Sequence, residues 1–249
     1  MGNKAIGIDI GGTGIKGALV DTKAGQLLSE RIRMETPEGG RPDDIGAVVS
    51  AIVRELKTSK DTPVGICFPA VVQNGVAKSA ANVSEEWIDY DADAHFTETL
   101  GRKVHMLNDA DAAGYAEAKF GAAKKQRGLT IMTTLGTGIG TALLYNGKLI
   151  PNSELGHLPL NGVDAEKIAA FSAKERENLS WEAWAERLQG YYSLLEALLV
   201  PDLFIVGGGV SKEHEFFLPL LKLKTPIIPA ELKNTAGIIG AATLANKEI

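Results

Sequence analysis

A few polar residues stand where apolar runs stop, and their types suit phosphate and sugar chemistry. Asp9 lies near the end of the run Lys4–Ile10, one step before the turn that holds Gly11, Gly12 and Gly14. Asn108 and Asp109 follow the run Lys103–Leu107 and open an alanine-rich stretch that reaches Phe120. A carboxylate at the carboxyl end of a strand stands where α/β proteins bind ligands, and it can take a proton from a substrate hydroxyl. Asp109 is either that base or a helix cap, since Asp and Asn are favoured caps; Asp111 is the alternative cap. Glu154 and His157 stand three apart, and a carboxylate beside an imidazole can hold adjacent sugar hydroxyls. A metal reading of His157 lacks partner ligands. Asn82 and Glu166 join this set on spacing alone.

The glycines supply the second ingredient. They number 28 of 249 residues, above the usual ~7%, and they cluster. Gly12-Thr-Gly-Ile-Lys-Gly-Ala-Leu19 recurs as Gly136-Thr-Gly-Ile-Gly-Thr-Ala-Leu143 at an offset of 124, with six of eight positions identical. Gly12, Gly14 and Gly17 formally match a dinucleotide fingerprint, but that motif must open a helix, and Ile15–Val20 is β-branched and strand-like. No Walker A loop occurs, and the partner motifs of a protein-kinase glycine loop are missing. What remains is a tight turn of small residues (Gly11, Gly12, Thr13 and Gly14, then Thr137 and Gly138) whose backbone N–H groups suit an anion, phosphate first. Taken singly, each turn is equally an ordinary glycine hairpin; the duplication suggests a polyanion clamped between two lobes.

Asp9 would repel a phosphate there unless a cation intervened, and Mg²⁺ held through water meets that need. Lys16 is either a further donor or a solvated strand charge. Gly207, Gly208 and Gly209 form a packing turn or part of a nucleotide pocket. Lys119, Lys124, Lys125 and Arg127 make a run of positive charge with no acid between Lys119 and Arg127. That run is either a solvated loop or a track for a long anion.

These residues need strands to carry them. Lys4–Ile10, Ile15–Val20, Gln26–Glu35, Val64–Phe68 and Lys103–Leu107 read as strands, with hairpin chemistry at Asp21–Gly25 and Asn74-Gly75. Asp43–Lys57, Asp91–Leu100 and Asp109–Phe120 read as helices. The pattern restarts with strands at Leu129–Leu135, Ile139–Tyr145 and Leu203–Val206. Helices follow at Trp181–Leu199, capped by Ser180, at Lys212–Leu221, and at Gly237–Ala245. The long Trp181–Leu199 helix reads as a core or subunit-interface element. The class is α/β in two similar lobes. Their expected bounds are 1–107, with 237–249 packed on it, and 108–236.

Composition narrows the function. The chain is 45% hydrophobic and 23% charged, which excludes wholesale disorder. A net charge of −5 argues against a coat for nucleic acid or an anionic membrane. The single cysteine, Cys67, excludes an internal disulfide and reads as a core residue. No apolar stretch is long enough to span a bilayer, and the expectation is a cytoplasmic enzyme without a signal peptide.

Ile8–Lys16, Leu107–Asp111, Leu135–Gly140 and Glu154–His157 together resemble the ROK family of sugar kinases. The resemblance covers nearly the whole chain. Ala165–Lys167, Leu179–Arg187 and Pro201–Lys212 are similar to its polyphosphate-using glucokinase subgroup. The resemblance implies an actin/hexokinase-like, ribonuclease H-like fold and phosphoryl transfer to the 6-hydroxyl of glucose. Asp109 is then the base. Asn82, Asn108, Glu154, His157 and Glu166 hold the sugar. Asp9, Gly12, Thr13, Thr137 and Gly138 line the phosphate and Mg²⁺ site. Many members carry a cysteine-rich zinc segment that is lacking here, so the expectation is no zinc. Polyphosphate and ATP are both open as donors, with an ATP-dependent hexokinase of the same family as the alternative. Family repressors carry an N-terminal helix-turn-helix; a first strand starting near residue 4 leaves no room for one. A non-catalytic sugar sensor is disfavoured because Asp9 and Asp109 are both present. A homodimer is the expected assembly.

Overall fold

The structure is a computed structural model that describes residues 2–248. Two compact units divide the chain. One holds the described residues up to Ala116 together with those from Thr235 on; the other is Glu117–Asn234.

The first unit is built on strands β1 (Lys4–Gly11), β2 (Gly14–Asp21), β3 (Gln26–Leu27), β4 (Ile32–Met34), β5 (Val64–Phe68) and, further on, β9 (Val104–Asn108). Between β4 and β5 lies helix α1 (Pro42–Glu55), which buries Ile45, Val49, Ile52 and Val53 as its spacing requires. Between β5 and β9 come short strands β6 (Val72–Gln73), β7 (Val76–Ala77) and β8 (Tyr90–Asp91), then α2 (Ala92–Leu100). The β6–β7 hairpin turns on Asn74 and Gly75, both with positive φ, as that dipeptide favours. The main sheet runs β3-β2-β1-β5-β9, with β4 also paired to β2. β1 is antiparallel to β2 but parallel to β5, which is parallel to β9. Trp87, Phe68 and Phe96 lie at the centre of its core, and the Trp87 indole N–H donates to Gly40 O at 2.9 Å. Helix α3 (Asp109–Phe120) leaves the end of β9.

The second unit repeats the sheet pattern. Its strands are β10 (Leu129–Leu135), β11 (Ile139–Tyr145), β12 (Lys148–Ile150), the small pair β13 (Pro159–Leu160) and β14 (Val163–Asp164), β15 (Leu203–Gly207) and β16 (Ile227–Pro229). The sheet order β12-β11-β10-β15-β16 mirrors that of the first unit: an antiparallel hairpin, then two parallel additions. Helices α4 (Ala165–Ala169), α5 (Phe171–Arg176) and α6 (Trp181–Leu199) lie between β14 and β15. Ser180 caps α6 by accepting from Ala183 N at 3.2 Å. Trp184, Leu188, Tyr191, Tyr192 and Leu195 are buried, but Leu198 is 61% exposed, because its neighbour Leu199 takes the core-facing place in the last turn of α6. The helix expected over 212–221 is instead two 3-10 segments, Gly209–Phe216 and Leu218–Leu220. Glu213 has non-helical φ/ψ, and Pro219 lacks the N–H that a continuous helix needs.

Helix α7 (Ala236–Glu248) closes the first unit. It lies so close to β1 and β5 that a Cβ on Gly7 would collide with the Ile238 carbonyl and one on Gly65 with the Ala241 carbonyl. Cys67, Leu107, Ala112 and Ala241 form the small apolar cluster beneath it. Among the described residues, no helix is long and apolar enough to cross a membrane.

Gly65→Ala should therefore destabilise the protein by at least the ~1–3 kcal/mol typical of overpacking, because the obstacle is backbone that cannot rotate away. Gly136→Ala, where nothing lies within 4 Å of the new methyl, should leave the melting temperature nearly unchanged. Paired thermal melts test this; equal melting temperatures for the two variants would refute the tight seating of α7.

Candidate functional site

In the first unit, strand pairing alone aligns the chemistry. The register matches Asp9 with Lys16 on one side and with Cys67 on the other, and Cys67 with Leu107. Paired residues share a sheet face. Phe68 pairs with Asn108, the last residue of β9, so Asp109 emerges at the carboxyl edge of the parallel strands. The Cys67 thiol registers the convergence. Burial pushes it well above the ordinary thiol range, and the negative charges of Asp9 and Asp109 push the same way.

Asn108, not Asp111, caps α3. Its Oδ1 accepts from Ala110 N at 2.8 Å and Asp111 N at 3.1 Å, while Nδ2 donates to Ala70 O at 3.1 Å. A primary amide has two N–H groups, so one remains for a ligand. With the cap supplied by Asn108, Asp109 is not needed for that task. Its Oδ1 accepts from Ala110 N at 2.8 Å, which orients the half-buried carboxylate.

The first glycine turn is a two-residue hairpin, since Gly11 pairs with Gly14. Neither Gly12 nor Thr13 has positive φ, so glycine is not there for backbone freedom. It is there for room: a Cβ on Gly12 would stand 2.9 Å from Asn82 Cβ. That contact brings Asn82, an exposed residue with φ of 61°, onto the turn. Lys16 Nζ sits 3.1 Å from Asp9 Oδ2. The ammonium thus already offsets the carboxylate beside the turn, so charge repulsion by itself does not demand a second cation there.

The second turn differs. Leu135 pairs with Ile139, leaving three residues, Gly136, Thr137 and Gly138, in the loop. Glu166 lies over it: its Oε2 accepts from Ile139 N at 2.8 Å, and a Cβ on Gly138 would collide with the carboxylate. The residue matching Asp9 is Thr133, which is buried and hydrogen-bonded to the Tyr192 hydroxyl at 2.6 Å. The strand carboxylate is thus confined to the first copy, and the carboxylate at the second turn comes from Glu166 instead.

Glu154, His157 and Glu166 do come together. Glu154 Oε2 is 3.8 Å from His157 Nε2. Partial burial raises the Glu154 carboxyl above its usual range, against the pull of His157, and the Glu166 charge adds to the rise. The sequence reading passed over Asp164. Its Oδ2 meets His157 Nδ1 at 2.9 Å, and its Oδ1 caps α4 by accepting from Glu166 N at 3.0 Å. One carboxylate thereby orients both partners; its signal was an Asp just ahead of the Ala165-Glu-Lys167 helix. The hydrogen bond to Asp164 is the main cause of a raised His157 pKa, followed by the nearby carboxylate charges.

Of Gly207, Gly208 and Gly209, the middle one is a packing glycine: φ is 83°, and a Cβ would collide with the Leu135 backbone. Lys119, Lys125 and Arg127 line a concavity of about 580 Å³ with Gln126, Asn146 and Gly147; Lys124 does not line it. The sequence reading also missed the anchor of this loop. Glu117 is fully buried, with Oε2 accepting from Ala122 N at 2.7 Å and Oε1 from Leu232 N at 2.8 Å. Among the described residues, no three His, Cys, Asp or Glu side chains assemble into a metal-binding group.

The model of the ROK family matches residues 5–168. Polyphosphate glucokinase of Mycobacterium tuberculosis is 45% identical over 237 residues, covering 95% of this chain and 89% of that one. The solved inorganic polyphosphate/ATP-glucomannokinase of Arthrobacter sp. strain KM superposes with a TM-score of 0.95 at 50% identity, over 99% of both chains. A ROK family glucokinase from Streptomyces griseus, solved with glucose and AMPPNP, gives 0.83 at 25% identity over 98% and 99%.

Asp164→Asn should bring the His157 pKa down, since the main interaction favouring the imidazolium is lost. In the parent protein, the His157–Asp164 contact adds stability below the ordinary histidine pKa of ~6.5. That contribution fades as pH rises through the raised folded value. NMR titration of the His157 ring measures the shift, and an unmoved pKa in the variant would refute the assignment.

Proposed function

The chain belongs to the ROK family, and from that premise we propose that it moves a phosphoryl group from inorganic polyphosphate, with ATP as a second donor, to the 6-hydroxyl of glucose. Its fold is the actin/hexokinase-like α/β fold of the ROK sugar kinases. The observation that carries the reaction class is the alignment of Asp9 and the glycine turn with Asp109 at the carboxyl edge of one sheet. The high identity to polyphosphate-using relatives supports the donor. So does the basic concavity of Lys119, Lys125 and Arg127, in a chain of net charge −5.

Asp109 accepts the proton of the 6-hydroxyl as that oxygen bonds to the terminal phosphorus. The bridging P–O bond breaks, and the electron pair leaves with the shortened polyphosphate or ADP. Asn82, Asn108, Glu154, His157 and Glu166 hold the sugar hydroxyls, with Asp164 fixing the orientation of two of them. Gly11, Gly12, Thr13 and Gly14, with Lys16 as a further donor, and Thr137 with Gly138, take the phosphate-binding role. Asp9 fits a Mg²⁺ ion held through water, because Mg²⁺ in kinases needs only one or two carboxylates beside donor phosphates. When bound, Mg²⁺ supplies positive charge that offsets the charge on the transferred group. The exposed Leu198 and Val200, 61% and 76% accessible, support the homodimer reading.

The test is a donor comparison with glucose as acceptor: wild type should form glucose 6-phosphate faster with polyphosphate than with ATP. Asp109→Asn should fold normally, with Asn108 still capping α3, and lose about 10²–10⁴ in turnover. Near-normal turnover in that variant would remove Asp109 from the mechanism. Reversing Lys125 and Arg127 to Glu should raise KM for long polyphosphate while leaving KM for ATP and glucose nearly unchanged. Lys124→Glu, outside the concavity, is the control; equal effects from both would dismiss the track.

A further inference from the structure

Strand β4 carries a cation that neither the sequence pattern nor the roles above account for. Its register places Arg33 opposite Lys16, which is itself opposite Asp9. Arg33, Lys16, Asp9, Cys67 and Leu107 thus form one row across five strands, on one face. Asp109 follows two residues after Leu107 at one end of the row, and Arg33 is the other end.

The guanidinium does not extend into solvent away from the turn. Its Nη2 donates to Thr13 O at 3.1 Å, and a Cβ on Gly14 would stand 2.9 Å from both Nε and Nη2. Gly14 is therefore a glycine for a local reason: its bare Cα lets a planar cation lie against the turn. Three residues on, the Thr36 hydroxyl donates to Gly11 O. Arg33 and Thr36 strap both sides of the same turn.

The charges around the turn differ in kind. The charge of Lys16 is paired with Asp9. Arg33 has no carboxylate partner among the described residues, and of its five N–H donors one is used. It is the uncompensated positive charge of the turn. A planar fork of free donors beside exposed backbone N–H groups is the arrangement that binds phosphate in two-point fashion.

Direction then says which phosphate. Adjacent strands lie about 4.8 Å apart, so the row steps outward from the base, through Asp9, to Arg33. In an in-line transfer the leaving group departs on the side opposite the acceptor. We infer that Arg33 binds the phosphate next to the transferred one, the leaving group common to polyphosphate and ATP, and stabilises the charge that collects there as the bridging bond breaks. This inference rests on the donor reading above. It differs from the basic concavity of the second unit, which concerns phosphates that ATP does not have.

The experiment is steady-state kinetics of Arg33→Gln, Arg33→Lys and Thr36→Val with glucose and either donor. Arg33→Gln should raise KM for polyphosphate and for ATP about tenfold, lower kcat, and leave KM for glucose unchanged. Arg33→Lys, which keeps the charge but not the fork, should recover part of the loss. For long polyphosphate, the slope of log KM against log salt should fall by about 0.7–0.9, the loss of one phosphate contact. Thr36→Val removes a strap without removing charge and should leave that salt slope intact. Unmoved donor KM values in Arg33→Gln, or an equal loss of slope in Thr36→Val, would overturn the inference in an enzyme that still uses both donors. A wild type that phosphorylates glucose with neither donor would instead overturn the functional reading.

Discussion

The close seating of α7 on the backbones of β1 and β5 is the constraint on which the first unit depends. Gly7 and Gly65 allow the helix to approach until its own carbonyls meet the sheet. Those glycines lie two residues ahead of Asp9 and Cys67 in the paired strands. The contact that packs the helix therefore also holds the carboxyl ends of β1, β5 and β9 in line. Gly237, at the start of α7, leaves the Asp9 side open: a Cβ there would come 3.1 Å from Cys67 Sγ and 3.8 Å from Asp9 Cγ. Packing and chemistry share the same few small residues, which ties the fold's tolerance for substitution to its function.

The two glycine turns show how a duplicated motif diverges. Both are carried by the same hairpin in the same sheet order. A one-residue change in pairing turns a two-residue loop into a three-residue one. The first copy keeps Asp9 and gains a lysine and an arginine around it. The second replaces the aspartate with a buried threonine on Tyr192 and brings in Glu166 from α4 instead. A buried, uncompensated aspartate at position 133 would be costly, and a threonine with a hydroxyl partner is not. The first turn thus gathers positive charge, and the second carries a carboxylate that joins the Glu154–His157 group.

Much of this protein was legible in its residues. Strands Val64–Phe68 and Leu129–Leu135 and helix Trp181–Leu199 have the expected bounds: the strands are short runs buried on both faces, and the helix buries one stripe, which forces a period on the chain. Asn74-Gly75 and Asn146-Gly147 turned hairpins where their positive φ preference says they should. The repeated Gly-Thr-Gly unit foretold the repeated hairpin, β1–β2 and β10–β11. Asp9, Asn108 and Asp109 stood out because a polar residue at the end of an apolar run is a local signal. The broken segment after Gly209 did not follow its pattern, since a single proline and one non-helical residue outweighed the apolar spacing.

What the sequence alone determined was therefore the class, the duplication and the residue types able to do phosphoryl transfer. Tertiary structure decided which of them act as partners. Asp164 reaches His157 across seven residues, Arg33 reaches Thr13 across twenty, and Glu117 holds Leu232 across 115. None of these pairings leaves a period or a motif in the chain, because each is set by strand register and loop path rather than by spacing along one element. The assignment of the α3 cap to Asn108, and the pairing of Lys16 with Asp9, follow from the same cause. Local pattern marks where polar groups stand, and only the assembled sheet says whose charge each one meets.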